Sequence, residues 1–176
     1  MKFENINIEG VKLIKNNLFF DNRGSFIKTF NSNLFENNNF EIKEQYFSFS
    51  KKNVIRGMHF QNPPSHYTKL VSVISGEIID VILDIRKDSQ TYGNVYSTKL
   101  TKQNGISIYL PKGIAHGFLT LKSNTIVSYL QSSCYNIQND CGIKYDTINF
   151  DWGISNPIIS DRDLNFESFK DFNSLF

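Results

Sequence analysis

From residue 54 to residue 130 the chain consists of short apolar runs and strict alternations, cut at intervals by turn residues. In Ile78-Ile79-Asp80-Val81-Ile82-Leu83-Asp84-Ile85, one face collects Ile79, Val81, Leu83 and Ile85, while the other sets Ile78 and Ile82 beside Asp80 and Asp84. A period of two is the signature of a strand, here with one dry face and one mixed face. Turn signals stand at Asn62-Pro63-Pro64, Ser75-Gly76-Glu77, Thr91-Tyr92-Gly93, Gln103-Asn104-Gly105 and Pro111-Lys112-Gly113. Strands at this spacing predict an all-β sandwich or barrel. A jelly roll whose interior holds a ligand meets the pattern best.

A chain of 176 residues fits one domain with an apolar core large enough to need no disulfide or structural metal. The formal net charge of +2, with both signs scattered, provides no basic stripe for nucleic acid and no polybasic membrane patch. An anionic small molecule needs only a few local cations and remains compatible. The opening Met1-Lys2-Phe3-Glu4-Asn5 lacks an apolar signal core, and no long apolar span follows. Cys134 and Cys141 match no common zinc or thioredoxin spacing, so two reduced thiols in a cytoplasmic protein are expected. The Asn-rich run from Asn31 to Asn39, punctuated by Leu34 and Phe35, reads as a short helical turn or loop.

Polar residues sort onto strand faces by the same alternation. His59 shares a face with Gln61, opposite Met58 and Phe60; Lys69 shares one with Val71 and Val73; Tyr129 shares one with Val127 and Thr125. Their polar tips would enter an otherwise apolar cavity. A histidine and a lysine on neighbouring extended segments, with His116 on a later turn, suit proton abstraction next to a carbonyl. The chain reads as an enzyme, an isomerase.

The runs Val54-Ile55-Arg56-Gly57-Met58-His59-Phe60-Gln61, Lys69-Leu70-Val71, Gly76-Glu77-Ile78-Ile79-Asp80-Val81, Asp84-Ile85-Arg86 and Pro111-Lys112-Gly113-Ile114-Ala115-His116-Gly117-Phe118, with Tyr129, occur in order. Together they resemble the dTDP-4-dehydrorhamnose 3,5-epimerase family of cupin-fold enzymes. The resemblance runs from Asp21-Asn22-Arg23-Gly24-Ser25-Phe26 to Ser160-Asp161-Arg162-Asp163. It implies a cupin-type jelly roll with short peripheral helices and a core over 54–150. It also implies a homodimer to which the N-terminal segment, 1–50, contributes by adding to the partner's sheet, with 151–176 as a C-terminal segment. No cofactor and no metal are implied.

In a nucleotide-linked 4-keto sugar, the hydrogens on carbons 3 and 5 are acidified by the ketone between them. Inversion needs a base on one face, an acid on the other and a donor for the enolate oxygen. The resemblance implies His59 as base, Asp163 as the carboxylate that orients its ring, Tyr129 as acid and Lys69 at the enolate. His116 is expected to line the pocket, with Gln61 on the face of His59. Asp80 is expected to pair with Lys69 and hold its charge. Arg56 and Arg23 are the expected diphosphate contacts, because a guanidinium fork matches phosphate oxygens, with Arg23 acting on the partner's site, and the neighbouring Phe26 is an expected substrate contact.

A metal-dependent cupin would draw on a His-x-His pair, but Gln61 stands where the second histidine would be, and the remaining His66 lies in a Pro-rich loop. A non-catalytic sugar-binding cupin would not need His59, Lys69, Tyr129 and Asp163 together. A sugar-nucleotide 3,4-ketoisomerase shares the fold, and Tyr129 with the Arg-Gly-x-His-Phe-Gln run favours the epimerase. Thymidine-specific members usually carry Glu where Lys28 stands and Gln-Asp-Asn where Glu44-Gln45-Tyr46 stand. Glu44 suits the N–H edge of guanine, as in the branch acting on GDP-linked 4-keto-6-deoxyheptoses in capsule assembly, and the sequence leaves GDP and dTDP, hexose and heptose, and carbon 3 alone or carbons 3 and 5 as alternatives.

Overall fold

The structure, a computed structural model, describes residues 1–35 and 40–176. Two antiparallel sheets face each other. The first has the order β1 (Lys2–Asn5), β2 (Lys12–Lys15), β10 (Ile106–Leu110), β7 (Lys69–Ser75), β12 (Thr125–Gln131), β5 (Glu44–Ser50). The second runs β13 (Asp140–Gly142), β6 (Ile55–Gln61), β11 (Ile114–Thr120), β8 (Glu77–Asp84), β9 (Val95–Thr101). A separate hairpin joins β3 (Leu18–Asp21) to β4 (Gly24–Ile27). Helix is confined to α1 (Asp161–Leu164) and 3-10 turns at Ser32–Leu34 and Tyr145–Thr147 among the described residues. The expected all-β jelly roll with short peripheral helices is what forms.

Most of the predicted turns carry the chain from one sheet to the other. Ser75-Gly76-Glu77 links β7 to β8, Gln103-Asn104-Gly105 links β9 to β10, and Pro111-Lys112-Gly113 links β10 to β11. Gly76 has φ +82°, and a Cβ there would lie 2.2 Å from Thr125 Oγ1, so the sharp crossing needs glycine.

The interior between the sheets is built from Val71, Val73, Ile78, Ile82, Leu100, Ile108, Phe118 and Val127. The dry face of β8 is not part of it. Val81, Leu83 and Ile85, with Met58 and Phe60 of β6, pack on the outer side of the second sheet against Ile143, Ile148, Trp152, Phe169 and Phe172. The mixed face is therefore the inner one, where Ile78 and Ile82 meet the core while Asp80 and Asp84 find polar partners. On the outer side of the first sheet, Leu70 and Tyr109 are covered by Phe35 and Phe40. Strands buried on both faces read as continuous apolar runs, which explains β7 and β11.

Strands before residue 54 also build the sheets. β1 pairs with β2, and β2 with β10, so the start of the chain extends the first sheet. β5 completes the edge of that sheet beside β12 and borders the cavity. In the Asn-rich run, Asn31 Oδ1 accepts the Asn33 N–H at 3.2 Å and starts the 3-10 turn. Residues 36–39 of that run lie outside the described residues.

Candidate active site

A cavity of about 620 Å³ opens between the sheets, lined by β5, β6, β7, β11 and β12. Strict alternation along β6 would put Arg56 on the face of Met58 and Phe60. The pairing of β6 with β11 instead shifts between His116↔His59 and Phe118↔Arg56, three residues on β6 against two on β11. This bulge re-aims the strand, so Arg56, His59 and Gln61 all border the cavity while Ile55, Met58 and Phe60 pack outside. Gly57 makes the bulge possible: its φ is +131°, and a Cβ there would stand 2.4 Å from Gly117 Cα.

Asp163 reaches this point from α1. Ser160 caps the helix, its Oγ accepting the Asp163 N–H at 3.2 Å. One carboxylate oxygen accepts the Gly57 N–H at 3.0 Å and the other meets His59 Nε2 at 2.9 Å. Burial raises the Asp163 carboxyl, but His59 and these donors outweigh it and hold it below its ordinary value. An anion on Nε2 favours the tautomer with the proton there, leaving the lone pair on Nδ1 as a base. The ring stays 26% exposed beside the cavity.

Tyr129 on β12 is 5% exposed, its ring stacked on Tyr46 of β5 at 4.5 Å and edge-on to His116 at 6.4 Å. Its hydroxyl lies 3.0 Å from Ser48 Oγ. Burial is the main reason its phenol is held well above the ordinary range, so it stays protonated. Lys69, buried on β7, has Nζ 4.8 Å from the Tyr67 ring centre and 5.9 Å from that of Tyr129. Desolvation lowers its pKa to about 8, against the fields of Asp80 and Asp140.

Asp80 does not take the expected partner. Its Oδ2 meets His116 Nε2 at 2.7 Å, and its buried Oδ1 has no partner among the described residues. Cross-strand register decides this, since Asp80 and His116 both face inward on adjacent β8 and β11. Asp80 therefore acts on Lys69 through its field alone. Burial lowers the His116 pKa despite Asp80, with Lys69 and His59 adding to the shift.

Gln61 borders the cavity with its amide spent on the backbone. It donates to Ser65 O and Cys134 O and accepts the Asn136 N–H. Arg56 sits at the mouth, Nε donating to Ser50 Oγ at 3.1 Å. Glu44 also lines the cavity, with Oε2 accepting the Tyr135 N–H at 2.9 Å. Arg23 and Phe26 are not brought to it within the chain. Both stand on the exposed hairpin, Arg23 paired with Asp21 at 2.6 Å and Phe26 60% exposed. His66 packs edge-on to Phe176 and is not among the lining residues.

Sequence reasoning missed Ser48, Tyr67, Gln131, Tyr135, Asp140 and Arg162, which line the cavity together with Tyr46. Tyr46 and Ser48 were legible as alternate positions of β5, and Gln131 as the next residue on the Tyr129 face. Arg162, whose guanidinium meets Asp140 at 2.5 Å and lies over the Phe166 ring, shares the motif of Asp163.

The chain matches the model of the dTDP-4-dehydrorhamnose 3,5-epimerase family over residues 5–171. The enzyme of that name from Methanothermobacter thermautotrophicus is 36% identical over 177 residues, spanning 97% of this chain and 95% of that protein. The crystal structure of the Bacillus anthracis enzyme, with TDP and PPi bound, superposes with a TM-score of 0.90 at 35% identity, over 95% of this chain and 98% of that one. The Legionella pneumophila enzyme in complex with dTDP-4-keto-L-rhamnose gives a TM-score of 0.92 at 29% identity, over 98% and 94%. With sequence and fold agreeing along nearly its whole length, this chain belongs to the dTDP-4-dehydrorhamnose 3,5-epimerase family and is an isomerase of the sugar-nucleotide epimerase type.

Proposed function

We propose that the cavity binds a nucleoside-diphosphate-linked 4-keto-6-deoxy sugar and inverts carbon 3, carbon 5 or both through an enolate, for cell-surface or capsule polysaccharide. The observation that carries this reading is the convergence of a carboxylate-held imidazole, a buried protonated phenol and a buried ammonium on one cavity. His59, oriented by Asp163, removes the carbon-bound hydrogen; Lys69 stabilises the enolate oxygen; Tyr129 returns a proton from the opposite face. Arg56 at the mouth takes the diphosphate.

Arg23 and Phe26 enter this reading through a homodimer. The β3–β4 hairpin leaves Phe19, Phe20 and Phe26 at 57%, 76% and 60% exposed, an apolar surface for a second copy to bury. Arg23 then reaches the partner's diphosphate.

The ligands named with the Bacillus and Legionella structures support a thymidine nucleotide. Glu44 favours guanosine, because its carboxylate borders the cavity and its Oε1 has no hydrogen bond among the described residues. Melting shifts with dTDP and GDP at equal concentration separate the two, since a ligand of the folded state alone raises Tm with its saturation. The reaction itself is tested with dTDP- and GDP-linked 4-keto-6-deoxy sugars in heavy water. The His59→Ala variant is expected to lose exchange of the hydrogens alpha to the ketone while keeping nucleotide-diphosphate affinity within about threefold. Exchange at the wild-type rate would show that another group is the base.

A further inference from the structure

Each inversion leaves the two catalytic side chains changed: the base has gained a proton and the acid has lost one. His59, 26% exposed, can shed its proton to solvent. Tyr129 also borders the cavity but is only 5% exposed, with Tyr46 stacked on its ring and His116 against its edge, so it meets solvent far less than His59 does. Among the described residues the hydrogen-bond partner of its hydroxyl is Ser48 Oγ, at 3.0 Å, and either atom can be the donor. Ser48 lines the cavity on β5 and is partly exposed, so it touches the buried phenol on one side and the open cavity on the other.

We propose that Ser48 is a positioning residue for Tyr129: it orients the phenol hydroxyl and is the route by which the phenolate is reprotonated between inversions. The inference rests on the reading of Tyr129 as the acid. In the resting state the serine accepts and the phenol donates. Once the phenol O–H bond has broken toward the substrate carbon, the serine hydroxyl rotates and donates to the phenolate.

Reset follows as the Ser48 O–H bond breaks and the Tyr129 O–H bond forms, while water passes a proton to Ser48 Oγ. The hydroxide left is neutralised by the proton that His59 releases. Every electron pair stays on its oxygen, and the cycle needs no co-reactant. The nearby Arg56 charge favours the phenolate, and burial opposes it, so the serine donor matters most while the phenolate exists.

The test compares solvent-deuterium exchange with net inversion, using dTDP-linked 4-keto-6-deoxyglucose and its GDP counterpart. Ser48→Ala is expected to retain exchange from the His59 side within about threefold and to lower inversion per exchange event by about 10- to 100-fold. Ser48→Thr, which keeps the hydroxyl, should restore the ratio. A Ser48→Ala ratio equal to wild type overturns the proposal. Parallel loss of exchange and inversion with a raised KM also overturns it, by making Ser48 a substrate contact. Tyr129→Phe serves as the reference: if it lowers the ratio and Ser48→Ala does not, only the serine inference fails. If Tyr129→Phe leaves the ratio unchanged, the acid assignment itself fails. Should Ser48→Ala lose its cooperative melting transition, the threonine variant decides, with an unrestored ratio counting against the route.

Discussion

Lys69 shows how a single buried residue couples chemistry to pH. Desolvation brings its folded-state pKa from 10.5 to about 8. Between those values the unfolded chain binds the proton that the folded chain has shed, so stability rises with pH across the window. Turnover should move the other way, because a neutral amine stabilises an enolate oxygen poorly. A kcat profile is expected to fall above about pH 8, and Lys69→Met should remove nearly all turnover while raising Tm at pH 7, since no buried charge remains. A lower Tm for that variant would mean the ammonium is fully compensated in place. At the same scale, Tyr129→Phe should reduce net inversion more than deuterium exchange, because the base can return its own proton without the acid. Equal loss of both would assign Tyr129 to substrate positioning.

The bulge in β6 is the element on which the site depends. One extra residue opposite β11 turns Arg56 and His59 to the same side, and the Gly57 N–H there holds Asp163. An added Cβ at Gly57 would be strained by φ +131° and would collide with the Gly117 backbone at 2.4 Å. Gly57→Ala is therefore expected to cost on the order of 2–4 kcal/mol in denaturant unfolding and to abolish turnover. An unfolding midpoint within experimental error of wild type would show that the bulge relaxes without its glycine. α1 is too short to be stable alone. It is held by the Ser160 cap, by the Asp163 bonds to β6 and by the parallel bridge Val54↔Ile158 just before it.

For the whole molecule, the proposed dimer places Arg23 in a partner's site and predicts complementation. Arg23→Ala and His59→Ala, each weakly active or inactive alone, should regain activity when mixed and allowed to exchange protomers. Random pairing leaves about one quarter of the sites with both residues intact. No recovery after verified exchange would place Arg23 outside the site. Replacing Phe19, Phe20 and Phe26 with Ser should shift the sedimenting species toward monomer, because an exposed apolar hairpin is what such an interface would bury.

Patterning along the chain was enough for the all-β class, the turn positions and the faces of His59, Lys69 and Tyr129, because these follow from a period of two that acts within each strand. It could not say which face of β8 looks inward. Both are apolar enough to be buried, and only packing of residues 143–176 against the second sheet makes the dry face the outer one. Asp163 was assigned through a motif, and its meeting with His59, 104 residues away in sequence, exists only once α1 docks on β6. The partner of Asp80 differs from the expected one for a related reason. Sequence supplies its charge, but the β8–β11 register supplies its neighbour, which is His116 and not Lys69. The alternation that places side chains is local, whereas the bulge, the register and the layer order arise between strands distant in sequence, so only the tertiary structure decides them.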